Sequence, residues 1–360
     1  MRIWFDILTP KQIMFFKNFV ERLKKDGHDV LCTSRRYREV TQLASLNNLQ
    51  LVIVGRYGGE ERYDKLKASC DRIIKLSKII KKFNPDMVIS FSSPDAARVS
   101  FGLGIKHYVF NDSPHAEKVA RLTIPLIDHL FCPWVIPISA WNKYGIEMKK
   151  ITMYQALDPY VWTKPFENKR NADKEKLLQC LKIKIDPKKK IVLIRPDENK
   201  ASYIIDNKNN KTLSIIDKIV ENLADEVNVI ILCRYSDQIQ KFKERYKDRV
   251  FLIGKAVDGR FLLEISDLFI GGGGTMTAEA VLLGVPTISV APIDFTVEEY
   301  LIKKGLIKKI RNPDHIIDFV NRILQDLDYT KKFNKKSKTL RGNMEDPIEV
   351  FMKFVKKNQP

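Results

Sequence analysis

Along the chain, short apolar runs alternate with longer stretches whose apolar residues recur every three or four positions. Residues 3–8 read as a buried strand. After Thr9-Pro10, residues 13–25 carry Ile13, Phe16, Val20 and Leu23 at helical spacing, and Gly27 ends that helix. Strands follow at 28–33 and 51–54, then a long amphipathic helix over about 60–83 that Asn84-Pro85-Asp86 stops. A strand at 87–91 leads into a helix opened by Ser92-Ser93-Pro94, and further strands lie at 107–110 and 151–154. The alternation restarts with strands at 191–194, 227–233, 250–253, 268–270 and 287–290. Helices at about 213–223, 237–246, 260–265 and 275–283 separate them, and two or three basic helices come after residue 290. Such alternation predicts an α/β protein with parallel sheets.

The 360 residues favour two domains, each able to bury its own core. Between 157 and 187 the chain turns polar and lysine-rich, with Pro159, Pro165 and Pro187 and a single candidate helix at 175–181. The expected organisation is therefore a first domain over 1–160, a linker over 161–188 and a second domain over 189–344.

A hydrophobic content of 44% with 30% charged residues is ordinary for a soluble globular chain. The start, MRIWFDIL, enters a strand directly without signal-peptide organisation. The most apolar region, 122–141, is broken by Pro125, Asp128, His129, Pro133 and Pro137, so it is not expected to span a bilayer. Five cysteines without CxxC spacing point to reduced thiols, no zinc site and a cytoplasmic location. The net charge of +19, from 63 lysines and arginines against 44 acids, is the unusual quantity. It suggests anionic partners: nucleic acid, an acidic membrane face or phosphorylated substrates. No nucleic-acid recognition module is present, so that partner is not expected. Peripheral contact with the inner face of an anionic membrane fits better, at about 1 kcal/mol per surface lysine. The alternative is that the lysines reflect the composition of the source proteome. The run at 331–338 likewise reads as a membrane or acceptor patch, or as a solvated helix face.

The strongest local signal is the sequence IGGGGTMTAEAVLLGVPTISV at 270–290. A strand runs into four glycines, Gly271 to Gly274, and then into a helix closed by Gly284. Glycines without Cβ atoms let backbone N–H groups converge and another molecule approach them. The helix start adds unpaired N–H groups and about half a positive charge, a combination suited to phosphate. A Walker loop is excluded because no lysine precedes Thr275, and the dinucleotide fingerprint fails because its third glycine would fall on Met276 or Thr277. A tight turn with nothing bound is the other reading.

Gly273-Gly274-Thr275-Met276-Thr277-Ala278-Glu279-Ala280, followed by Leu283-Gly284-Val285-Pro286, resembles the nucleotide-sugar site of the GT-B glycosyltransferase superfamily. It is similar to the MurG-type N-acetylglucosaminyltransferases and the non-hydrolysing UDP-GlcNAc 2-epimerases. More closely, nearly the whole chain resembles an uncharacterised family labelled as related to lipid-A-disaccharide synthase, including Ile3-Trp4-Phe5-Asp6, residues 101–105 and Asn111-Asp112. The resemblance implies two Rossmann-like parallel-sheet domains facing a central cleft, with a terminal helix at 345–360 joining the first domain. It also implies that the backbone around Gly273, Gly274 and Thr275 holds a diphosphate, with Gly272 and Met276 in the same nucleotide-sugar site, that Glu279 binds the ribose hydroxyls and that Gly254 lies near the base. A carboxylate one turn into the helix can accept two O–H donors from a diol, although a surface acid favouring a helix start is the plainer reading of Glu279. Arg195, after a strand, is placed to neutralise a diphosphate leaving group or to make a surface ion pair.

Open α/β sheets place ligands at the carboxyl ends of their strands. In the first half this singles out Thr9, Lys11 and Gln12 in one loop, and Ser92 and Ser93 in another, as acceptor-loop candidates. A third loop brings Asp112, His115 and Glu117 within six residues, a cluster suited to general acid/base work on a hydroxyl. The plainer alternative is that Asp112 or Ser113 caps a helix and His115 is solvated.

The first function expected is transfer of a sugar from a nucleotide diphosphate donor, of UDP type, to a lipid-linked or anionic acceptor. No metal and no cofactor beyond the nucleotide-sugar co-substrate is expected. The second is a nucleotide-sugar epimerase or hydrolase, although of the epimerases' three first-domain acids only Glu117 is matched, and Arg195 lacks a preceding histidine. The third is a non-catalytic nucleotide-sugar-binding protein.

Overall fold

The computed structural model describes residues 1–59, 61–166, 178–179, 183–196, 211–233, 235–255 and 257–358. The expected helix at 175–181, apart from residues 178–179, and half of the stretch at 161–188 lie outside the described residues. The chain forms two compact units, Met1–Val161 with Glu345–Pro360, and Trp162–Met344.

The first unit is built on seven parallel strands: β1 (Arg2–Asp6), β2 (Asp29–Arg36), β3 (Val52–Arg56), β4 (Met87–Ser90), β5 (Lys106–Phe110), β6 (His129–Pro133) and β7 (Ile151–Tyr154). Their spatial order is β3-β2-β1-β4-β5-β6-β7. Ile3, Trp4 and Phe5 of β1 are buried, because helices cover both faces of the sheet. Pro10 begins the helix Pro10–Lys25 at a position where its missing N–H costs nothing. Phe16 and Phe19 of that helix pack edge-on against Phe5, with centroids 5.3 and 5.4 Å apart. The terminal helix Pro347–Lys357 belongs to this unit, and its Phe351 lies 5.2 Å from Phe19 and from Phe131.

The second unit contains six parallel strands: β8 (Ile191–Arg195), β9 (Asn228–Leu232), β10 (Phe251–Ile253), β11 (Leu268–Gly271), β12 (Thr287–Ser289) and β13 (Lys308–Lys309). Their order is β10-β9-β8-β11-β12-β13. Every residue of β9 and β11 is buried, and one core packs on each face of the sheet. Both sheets thus reverse direction once, between β1 and β4 and between β8 and β11. Among the described residues, no helix is long and apolar enough to cross a membrane.

Candidate functional site

A ligand in an open parallel sheet sits at the carboxyl ends of the strands where the order reverses. In the second sheet this point lies between Arg195, ending β8, and the glycines that follow β11. Gly272 N–H donates to the Arg195 carbonyl at 2.9 Å, which joins the two strand ends. Gly273 and Gly274 then take φ of +94° and +88°. At Gly273 a Cβ would meet Phe295 Cε2 at 2.5 Å, whereas the space at Gly274 is open. Gly274 begins the helix Thr275–Leu282 without a side-chain cap. None of the N–H groups of Gly273, Gly274, Thr275 and Met276 finds an acceptor among the described residues. One turn in, the Thr277 hydroxyl is buried without a hydrogen-bond partner. These orphaned donors suit an anion.

Glu279 is held rather than solvated. The fully buried Trp162 donates its indole N–H to Glu279 Oε1 at 2.5 Å. Trp162 is itself fixed by Arg260 Nη1, which donates to its carbonyl at 2.7 Å, and Arg260 forks onto Asp258, with Nε 2.9 Å from Oδ1. Burial, set against the Trp162 hydrogen bond and reinforced by the charge of Asp258, pushes the Glu279 carboxyl up to about 7. Nothing in the local sequence links Trp162, Asp258 and Arg260 to Glu279, and sequence reasoning missed all three.

Two candidates of this unit have other uses. Arg195 Nη1 donates to the carbonyls of Leu232 and Cys233 at 2.9 and 3.1 Å, so the guanidinium ties β8 to the end of β9. At Gly254 a Cβ would lie 1.9 Å from Ile239 Cδ1, so packing against the helix Ser236–Tyr246 already accounts for the glycine. The Met276 side chain packs against the core, leaving its backbone to face the turn.

In the first sheet the order reverses between the loops after β1 and β4. Lys11, in the first turn of the helix Pro10–Lys25, reaches Asp112 at 2.5 Å and Asp158 at 2.7 Å, and lies 4.2 Å from the centroid of the Phe91 ring. Tyr154 donates its hydroxyl to Asp158. Burial works against each charge, but mutual attraction holds the Lys11 ammonium above and the Asp112 carboxyl below their ordinary values. Burial and the nearby Asp112 leave Asp158 raised to about 6, Lys11 notwithstanding. Two carboxyls with values pushed apart can divide acid and base roles. Asp158 lies 46 positions beyond Asp112 and carried no local signal.

Several residues that the sequence singles out in this half have partners within the unit. Asp112 pairs with Lys11 and does not cap the helix Glu117–Thr123, whose N-cap is Ala116 without a side-chain bond. Glu117 is exposed and paired with Arg121 one turn on, with Nε 2.7 Å from Oε1. Gln12, Ser92 and Ser93 are buried and hydrogen-bonded within the unit. Gln12 accepts from Leu8 N–H at 2.6 Å, and Ser92 accepts from Asn111 at 2.6 Å. Ser93 donates to Asp6 at 2.6 Å while capping the helix Pro94–Leu103. Thr9 and Lys11 keep partial exposure. His115 is half-buried, and burial pushes its imidazole down, against the upward pull of Asp112.

The family model described as a protein of unknown function, DUF354, matches residues 1–359, and the chain belongs to that family. Across 320 residues it is 28% identical to MJ0665 of Methanocaldococcus jannaschii, described as uncharacterised, covering 88% of this chain and 90% of that one. Among solved structures it is similar to the Methanocaldococcus jannaschii UDP-GlcNAc 2-epimerase in complex with UDP-GlcNAc and UDP. The TM-score is 0.73 at 17% identity, with 99% of this chain and all of that one (100%) covered. It is also similar to the spinosyn rhamnosyltransferase SpnG complexed with spinosyn aglycone, with a TM-score of 0.63, 14% identity and coverage of 99% and 100%. The fold is that of the GT-B proteins, with two parallel-sheet α/β domains.

Proposed function

We propose that this chain is a glycosyltransferase that moves a sugar from a nucleotide diphosphate donor, of UDP type, to an acceptor hydroxyl. The observation that carries the reading is the uncapped glycine turn at Gly273–Thr275, whose N–H groups find no acceptor among the described residues and which is backed by a tethered carboxyl at Glu279. Departure of the nucleoside diphosphate leaves negative charge on its phosphates, and preorganised N–H groups at a helix start stabilise it. Each such donor lowers a barrier by about 3 kcal/mol where measured in other enzymes. This route assigns no step to a metal. Glu279 Oε2 makes no hydrogen bond among the described residues and is the oxygen assigned to the ribose diol.

The base that takes the acceptor proton is assigned to His115. Burial keeps its imidazole neutral at physiological pH, whereas Asp112 is held as a carboxylate by Lys11 and is a poor base. The known epimerase and rhamnosyltransferase of similar fold are named for nucleotide-sugar and sugar-transfer chemistry, which supports a substrate of this class.

Epimerisation is the second reading. It is favoured by the two carboxyls on Lys11, since an acid and a base of unlike strength could return a proton to a sugar carbon. The purified chain incubated with UDP-GlcNAc, UDP-glucose and GDP-mannose, with and without phospholipid acceptors, separates them. Nucleoside diphosphate released only with acceptor is expected. A changed sugar without release supports epimerisation instead, and an unaltered donor throughout refutes both.

A further inference from the structure

The carboxyl ends of β2 and β3 gather cations that neither the fold nor the chemistry above uses. Arg36 and Arg56 are register partners at these ends, and both are exposed. Like charges directly opposite on neighbouring strands are destabilising. Among the described residues no carboxylate lies within ion-pairing distance of either one. Next in the chain, Tyr37 and Tyr57 pack ring against ring with centroids 5.3 Å apart, and Tyr57 N–H donates to the Arg36 carbonyl at 3.1 Å. Arg35 lies over the Tyr57 ring, its guanidinium carbon 4.9 Å from the centroid.

Arg35 Nε is buried without a hydrogen-bond partner. The acids below cannot serve it. Arg72 takes both oxygens of Asp6, at 2.6 and 3.1 Å, and one of Asp95, at 2.9 Å. Ser69 takes the other Asp95 oxygen at 2.5 Å. Asp6 and Asp95 are thus both engaged by Arg72, and Arg35 is left beside two exposed arginines.

We propose that this arginine–tyrosine cluster binds the phosphate of the acceptor, which makes the acceptor a phosphate ester of a sugar or polyol; the assignment rests on the transferase reading. Planar guanidinium groups match phosphate oxygens in pairs, and tyrosine faces offer an apolar surface to a sugar or glycerol carbon skeleton. The cluster lies at the carboxyl ends of β2 and β3, the same end of the sheet as the reversal between β1 and β4. Three cations on two strand ends suit one or two phosphates. A nucleic-acid strand would call for a basic groove following its backbone.

The full chain is titrated with glycerol 3-phosphate and co-sedimented with vesicles of mixed phosphatidylglycerol and phosphatidylcholine, with pure phosphatidylcholine as control. Binding of either probe that the double variant R36A/R56A weakens at least tenfold is the expected result. The soluble ester alone would identify a free acceptor, and vesicles alone a lipid headgroup. The double variant should melt no lower than the parent, because it removes an opposed pair of like charges. Equal binding by the variant, no binding of either probe, a lowered melting temperature, or tighter arginine-dependent binding of a single-stranded oligonucleotide would overturn the assignment. UDP-GlcNAc affinity should be the same in both proteins, and its absence from the parent would instead refute the nucleotide reading.

Discussion

At the scale of single residues the proposal assigns the chemistry to Glu279 and His115, and burial shifts the titration of both. The Glu279 carboxyl rises from an ordinary 4.5 to about 7, so the folded chain holds its proton more tightly than the unfolded chain in that window. Stability from this group is therefore lost as pH rises from about 4.5 to 7. Melting temperatures between pH 5 and 8 should fall more in the parent than in Glu279→Gln. A carboxylate accepts diol hydrogens better than its acid, so UDP-GlcNAc affinity should rise across pH 7 in the parent and stay flat in the variant. At pH 8 the variant should bind at least tenfold more weakly, about 1.4 kcal/mol. Parallel pH curves for the two proteins would remove Glu279 from the site. For the base, His115→Asn should lower kcat by about 10²- to 10⁴-fold with donor affinity unchanged, whereas Glu117→Gln, on its exposed pair with Arg121, should change neither. A fall in activity only in the Glu117 variant would reverse the assignment.

Elements position these residues, and their packing is what the chain's periodicity made readable. Strands such as β8 and β9 are uninterrupted apolar runs because helices cover both faces, and the helix Arg62–Phe83 shows its buried Arg72, Leu76 and Ile80 at helical spacing. Less legible were β6, where His129 and Pro133 break an apolar run, and β13, which is two lysines held by pairing with β12. The helix Arg38–Leu46 was also unforeseen, its nine residues carrying only three buried side chains, Val40, Leu43 and Ala44. The glycine turn was legible because four glycines mark a backbone that side chains would block, but the Trp162–Glu279 tether joins positions far apart in sequence and had no local signature. Gly274, with φ +88° and ψ −162°, lies in a region open essentially to glycine alone. Gly274→Ala should destabilise the unit by about 1–3 kcal/mol and weaken UDP-GlcNAc binding, read by urea melts and titration. Undiminished binding would mean that the turn faces no ligand.

At the scale of the whole chain, the last segment returns to the first unit, and Glu345 N–H donates to the Gln155 carbonyl at 3.0 Å. Phe351 then completes an aromatic core with Phe19, Phe110 and Phe131. Phe351→Ala should cost about 3–5 kcal/mol, visible as an early unfolding transition, while leaving the glycine turn of the other unit able to bind UDP. Membership of the family and the likeness to GT-B proteins supply the architecture, whereas the proposed reaction rests on a few backbone N–H groups and one tethered carboxyl. Crystals soaked with UDP examine that dependence most directly. The expected density places the two phosphates against the N–H groups of Gly273, Gly274 and Thr275 and the ribose hydroxyls on Glu279. UDP bound elsewhere, or a turn that stays empty at saturating nucleotide, would contradict it.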